Sequence, residues 1–146
     1  MKFQQWPIRD PDKNYFKVPN EVFHIGLSYP EISIYCYLLS IEDRETYQCY
    51  PSYRTIGEAV GMSRNTVAKY VRQLEEKGLI RTEHTTVTLK DGRKRNGSLL
   101  YTILPPEQAV EQFNQQQLAK AEAVAERRRI QDKLAKQAAE APPSPL

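Results

Sequence analysis

Residues 53–72 read YRTIGEAVGMSRNTVAKYVR, and their spacing decides the fold. Ser52 precedes the first apolar-periodic run and Ser63 the second. A serine there offers its oxygen to an unpaired N–H of the turn it starts. Between the runs, Gly61 is free to take a positive φ. Gly57 supplies the smallest residue where the first helix approaches the second, and Ile56, Val60, Met62, Val67 and Tyr70 fill the interior positions. Together these residues predict two short helices that join through a tight turn and cross steeply. Gly78 ends the second as a left-handed terminator.

With Val67, Tyr70, Val71 and Leu74 turned inward, the second helix shows Ser63, Arg64, Asn65, Thr66, Lys69 and Arg72 outward, with no acid before Glu75. A merely solvated face mixes signs; this one does not. The pattern is that of a helix-turn-helix with residues 63–77 as the recognition helix. Those side-chain types suit the major groove of double-stranded DNA. Arginine bonds guanine bidentately, asparagine bonds adenine, and hydroxyls take phosphates or base edges. The helix N-terminus favours phosphate. Arg54 and the Tyr53 hydroxyl stand at the mouth of the motif as further phosphate contacts.

Downstream the period changes. LIRTEHTTVTL, residues 79–89, is rich in β-branched residues and reads as a strand. Asp91-Gly92 is a hairpin turn signal, RKRNGS extends the loop, and SLLYTIL is the returning strand. The hairpin makes a basic wing over 90–97, with Lys90, Arg93, Lys94 and Arg95 around one aspartate. Pro105-Pro106 ends this unit. Residues 107–140 hold no glycine or proline, which predicts a helix of about 50 Å. Its larger apolar residues, Val110, Phe113, Leu118, Val124, Ile130 and Leu134, keep no heptad, so a strict coiled coil is not expected. A solvated rod, a dimerisation helix and a linker remnant all fit it. The fold class is therefore mainly α with a small β-hairpin wing: a winged helix-turn-helix followed by a long C-terminal helix.

Upstream, residues 1–14 with Trp6, Pro7, Asp10, Pro11 and Asp12 lack periodicity and read as a flexible arm. YFKVPNEVFHIGL reads as a short strand and a helical turn. Ser28 and Glu31 form a capping-box pattern with Pro30 in the first turn, opening a helix to about Glu42. Ile32, Tyr35, Cys36 and Leu39 make one apolar stripe and Ile34, Leu38 and Ile41 a second. Two stripes require cover on more than one side, by the N-terminal segment or by another subunit; the first is the better fit. The expected organisation is an arm (1–14), a winged helix-turn-helix domain (15–104) and a polar helical tail (105–146).

Charge supports this division. The chain's 21 Lys+Arg and 18 Asp+Glu give only +3. By segment, residues 1–50 carry −2, residues 51–104 carry +5 and residues 105–146 are neutral. The excess falls on the recognition helix and wing. Other classes are excluded. No apolar run approaches the ~20 residues of a membrane span, and no apolar signal core opens the chain, so a cytoplasmic protein is expected. Cys36 and Cys49 are too few for a disulfide framework or zinc site and read as reduced, buried thiols. His24 and His84 lie sixty residues apart, with no metal-ligand spacing, nucleophile motif or glycine-rich phosphate loop. No enzyme activity, cofactor, metal or small-molecule ligand is expected.

PSYRTIGEAVGMSRNTVAKYVRQLEEKGLI resembles the core of bacterial winged helix-turn-helix proteins, and SRNTV…LEEKGLI is similar to GntR-type regulators. The wider stretch, from YFKVPNEVFHIGLSYPEISIYCYLL through CYPSYRTIGEAVGMSRNTV, resembles the N-terminal domain of replication initiator A proteins of plasmids and conjugative elements. The resemblance implies sequence-specific duplex DNA binding through Ser63, Arg64, Asn65, Lys69 and Arg72, with frequent dimerisation. It also implies a transcriptional regulator or replication-initiator-like role on a mobile genetic element. Such initiators continue into a second domain, whereas a polar helical tail follows here. The alternative is a protein–protein adaptor using the winged helix and the long tail.

Overall fold

The computed structural model describes residue 10 and residues 13–141. The expectations for Trp6, Pro7, Pro11, Asp12 and residues 142–146 lie outside the described residues.

Among the described residues, four helices and five short strands follow in chain order. After a 3₁₀ turn at Asn20–Phe23 come α1 (Tyr29–Ile41), β1 (Gln48–Cys49), α2 (Tyr53–Val60) and α3 (Arg64–Glu76). Then come β2 (Ile80–Glu83), β3 (Thr86–Thr88), β4 (Lys94–Asn96), β5 (Leu100–Ile103) and α4 (Pro106–Glu140). The expected helical turn near residue 20 is present, but residues 15–18 form no strand. Pro19 follows them and has no N–H for a ladder.

α1 starts where Ser28 and Glu31 meet. The Glu31 carboxylate accepts the Ser28 N–H at 3.2 Å and its hydroxyl at 2.7 Å. Glu31 is buried, and Lys77 at the end of α3 reaches it at 2.6 Å. Burial alone would raise its pKa; the hydrogen bonds from Lys77 and Ser28 outweigh that and hold it below the ordinary value. Ile34, Tyr35, Leu38 and Leu39 of α1 are buried within the single chain, against a core that includes Val22, Ile25, Ile56, Val67, Val71, Leu74, Leu79 and Tyr101. Both stripes thus contribute to one core, with only Ile41 left exposed.

β1 is two residues long and was not expected. It joins a three-stranded antiparallel sheet in the order β1-β5-β2, with Cys49 opposite Tyr101 and Ile80 opposite Ile103. The hairpin also differs from the expected pattern. LIRTEHTTVTL is not one strand but breaks at His84 and Thr85, and RKRN is not loop but contributes β4, which pairs with β3 from Thr86↔Asn96 to Thr88↔Lys94. At the break, Gly97 N–H donates to the Thr85 carbonyl at 2.7 Å and the Thr85 hydroxyl donates to the Ser98 carbonyl. The wing is a two-stranded extension of the core sheet, offset at this break.

The first turns of α4 pack on the body. Ala109 is buried, Val110 and Phe113 touch the core, and the Gln112 amide donates to the Glu76 carbonyl at 2.9 Å. From Asn114 to Ala141 every residue is exposed. At 35 residues the helix is about 52 Å long. No helix among the described residues is long and apolar enough to cross a membrane.

Candidate nucleic-acid interface

The two caps form as their serines require. Ser52 Oγ accepts the Thr55 N–H at 3.1 Å, and Ser63 Oγ accepts the Thr66 N–H at 3.3 Å. α2 ends at Gly61 in the left-handed conformation, φ +75°. Only there does the chain reverse tightly enough for Gly61 and Met62 N–H groups both to reach the Gly57 carbonyl, at 2.8 and 2.9 Å. A Cβ on Gly57 would collide with the Met62 carbonyl oxygen. Gly57 is small because the turn runs directly over it. Ile56 and Val67 are fully buried on either side, while Val60, Met62 and Tyr70 pack at the rim of the core.

This packing fixes which face of α3 meets solvent. Arg64, Asn65, Lys69 and Arg72 are exposed; Thr66 is half-buried, its hydroxyl 2.8 Å from that of Ser63. α3 has no acid in its first turn. Glu75 is drawn away toward β2, where the Thr82 N–H and hydroxyl each bond it at 2.9 Å. Lys69 lies 5.2 Å from the Tyr70 ring centroid. Two further polar residues that meet solvent escaped the sequence reading. Gln73 is half-exposed one turn beyond Lys69, and Arg81 points outward from β2. Their signals were the i, i+4 spacing from Lys69 and the alternation from buried Ile80.

The wing carries the other cations. Lys90 lies in the tip, Arg93 directly before β4, and Lys94 and Arg95 on β4 itself, opposite Thr88 and Val87; all are exposed. The cations are not equivalent. Arg54 pairs with Glu58 at 3.0 Å and Arg93 with Asp91 at 3.1 Å. Among the described residues, Arg64, Lys69, Arg72, Lys90, Lys94 and Arg95 have no carboxylate within ion-pair distance. Tyr53 is partly buried against the core. His84 is exposed at the break in the hairpin.

The thiols lie away from this face. Burial pushes Cys49 up to about 11, with the Glu42 charge adding to it. Cys36 is only half-buried, not buried as expected, and its pKa is also raised by desolvation. Both are neutral at pH 7. Among the described residues no group of three His, Cys, Asp or Glu is placed to hold a metal ion.

The family described as "Helix-turn-helix domain" matches residues 26–80, from the approach to α1 through α3 to the first residue of β2. No curated protein matches the chain. Among solved structures, a possible transcriptional regulator from Methanosarcina mazei is similar at 14% identity and a TM-score of 0.50, covering 80% of this chain and 97% of its own. A MarR family transcriptional regulator from Silicibacter pomeroyi is similar at 17% identity and a TM-score of 0.40, covering 86% and 80%. At these identities the likeness is one of fold. The strand order and α2–turn–α3 geometry above make the chain a winged helix-turn-helix followed by a long helix.

Proposed function

We propose that the chain is a sequence-specific double-stranded-DNA-binding regulator that reads base edges with the first two turns of α3 and grips phosphates with the wing. The observation that carries this is the outward face of α3. Arg64, Asn65, Lys69 and Arg72 are exposed together on a helix whose opposite side is locked into the core. An unbalanced cationic face costs self-repulsion in isolation; against DNA it gains counterion release. Asn65 and Arg64 read bases, with Ser63 and Thr66 near the adjoining phosphate. Lys69, Arg72, Lys90, Lys94 and Arg95 supply phosphate and flanking contacts. Arg54 and Arg93 first exchange Glu58 and Asp91 for phosphate, so they contribute less. Tyr53 supplies a hydroxyl at the rim.

The protein acts as a homodimer through α4 in this reading. Leu118, Val124, Ile130 and Leu134 are between 51% and 61% exposed but spread around the helix rather than along one face, so charge and not an apolar stripe carries the pairing. The helix is also divided in charge. Residues 106–126 have one base against four acids, and residues 127–140 have five bases against two acids. Two copies side by side in opposite directions match acid to base along their length. A regulator of this form can serve a mobile element's own promoter or an origin repeat, as the resemblance to replication initiators implies.

Selection of binding sites from random duplexes tests both parts. A two-fold symmetric product with half-sites one or more helical turns apart is expected. A pool that shows no enrichment removes the sequence-specific reading, and a single asymmetric site removes the dimer.

A further inference from the structure

On the body of the domain, where α1 ends, an apolar cavity of about 290 Å³ opens between Tyr35, Leu39, Glu42, Tyr47, Ile103 and Pro106. We propose that this cavity is a binding site for a small organic cation, an aromatic or alkyl ammonium. Three features define the ligand's chemistry.

The first is shape and polarity. The walls are rings, aliphatic side chains and prolines, contributed by α1, β5, the loop before β1 and the start of α4. The volume is at the small end of ligand pockets, about 300–1,000 Å³, which suits one ring with a short arm.

The second is an unfilled demand for a donor. One carboxylate oxygen of Glu42 is buried and has no hydrogen-bond partner. A buried acceptor left so is costly and is ordinarily satisfied. Desolvation raises the Glu42 pKa, and the nearby Arg44 charge offsets this only in part.

The third is the field. Glu42 is the C-cap of α1, whose last turn holds no basic residue. The helix C-terminus carries about half a negative charge and favours a cation. Besides its burial, the Tyr35 hydroxyl feels the charges of Glu42, Glu21 and Glu107, and its pKa is pushed up to about 12. Of these carboxylates Glu42 lines the cavity itself, and a phenolate or carboxylate ligand beside it is repelled. An ammonium group pairs with the Glu42 carboxylate that lines the cavity, its apolar body covers Leu39 and Ile103, and its charge meets the exposed Tyr47 ring. The backbone holds Tyr47 in place at φ +58°, rare for a bulky residue, with its N–H donating to the Asp43 carbonyl at 2.8 Å and its carbonyl accepting the Ile103 N–H at 2.9 Å.

This site is independent of the DNA reading, and either can fail without the other. The test is a titration of the full, isotope-labelled chain, followed by amide chemical shifts. The probes are phenethylammonium, neutral 2-phenylethanol and anionic phenylacetate. Phenethylammonium should give saturable shifts at Leu39, Glu42 and Ile103. 2-Phenylethanol should bind about tenfold more weakly, the loss of one charge-assisted hydrogen bond, and phenylacetate should not bind there. Glu42→Gln should bring the cation-to-neutral ratio close to one while the spectrum stays dispersed. Should that variant not fold, Leu104, which also lines the cavity, offers a second: Leu104→Trp narrows it and should abolish the shifts. Equal binding of the three probes, absence of saturable shifts, or an ammonium preference that survives Glu42→Gln would overturn the proposal.

Discussion

Gly57→Ala is the sharpest test of the turn that aims α3. Two opposing effects set its magnitude. Alanine in a helix gains roughly 0.5–1 kcal/mol over glycine. Against this, the new Cβ occupies the space of the Met62 carbonyl oxygen, and real Cβ atoms essentially never come within 3.0 Å of such an atom. The obstacle is backbone, and that backbone is pinned by the Gly61 and Met62 N–H groups on the Gly57 carbonyl. It cannot swing aside as a flexible side chain would. Overpacking costs about 1–3 kcal/mol, here toward the upper end, so the net destabilisation is about 1–2 kcal/mol. Urea unfolding of both proteins measures it as a lower midpoint at unchanged slope. Gly61→Asn is the control. Nothing lies within 4 Å of a Cβ there, and asparagine tolerates a left-handed φ, so its loss should be smaller. A Gly57→Ala protein as stable as the parent would refute the close approach of α2 to the turn.

Two further outcomes are expected. Glu31→Gln removes a buried carboxylate from Lys77, whose side chain is 36% exposed; breaking a buried pair costs about 3–5 kcal/mol, and this partial exposure reduces the loss to roughly 1–3 kcal/mol. Because the folded-state pKa of Glu31 is lowered, its contribution is full above the ordinary carboxylate pKa and fades as pH falls through the folded value. The gap between parent and variant in urea midpoint should therefore narrow from pH 6 toward pH 3, and a constant gap would contradict the ion pair. Removing residues 114–146, which leaves the packed first turns of α4 in place, should convert a dimer to a monomer by light scattering. An unchanged mass would place self-association elsewhere or nowhere.

The readability of this chain followed the range of its interactions. The α2–turn–α3 unit was legible because each requirement is local: a cap at Ser52, a reversal at Gly61, a missing Cβ at Gly57, a cap at Ser63. The capping box at Ser28 and Glu31 was legible for the same reason, but the buried tie from Glu31 to Lys77 joins residues forty-six apart and was not. β1 is two residues long and exists only by pairing with β5. β4 is Lys-Arg-Asn with every side chain exposed, so no apolar alternation marks it; the TVT strand opposite defines it. Among the candidate contacts, the quenching of Arg54 by Glu58 was within reach as an i, i+4 pair. The cavity beside Glu42 draws on four segments of the chain, and no stretch of sequence reveals it.

In the proposed function α3 and the wing form a phosphate-gripping, base-reading surface. Fluorescence anisotropy of a selected duplex, titrated across salt concentration, measures that grip. Each phosphate neutralised adds about 0.9 to the log–log slope, so the six cations of α3 and the wing that have no carboxylate partner predict a slope between about −3 and −5 per chain. Reversing Arg64, Lys69 and Arg72 to glutamate should abolish specific binding while the fold persists. A slope near zero, or a reversed protein that binds with parental affinity, would contradict it.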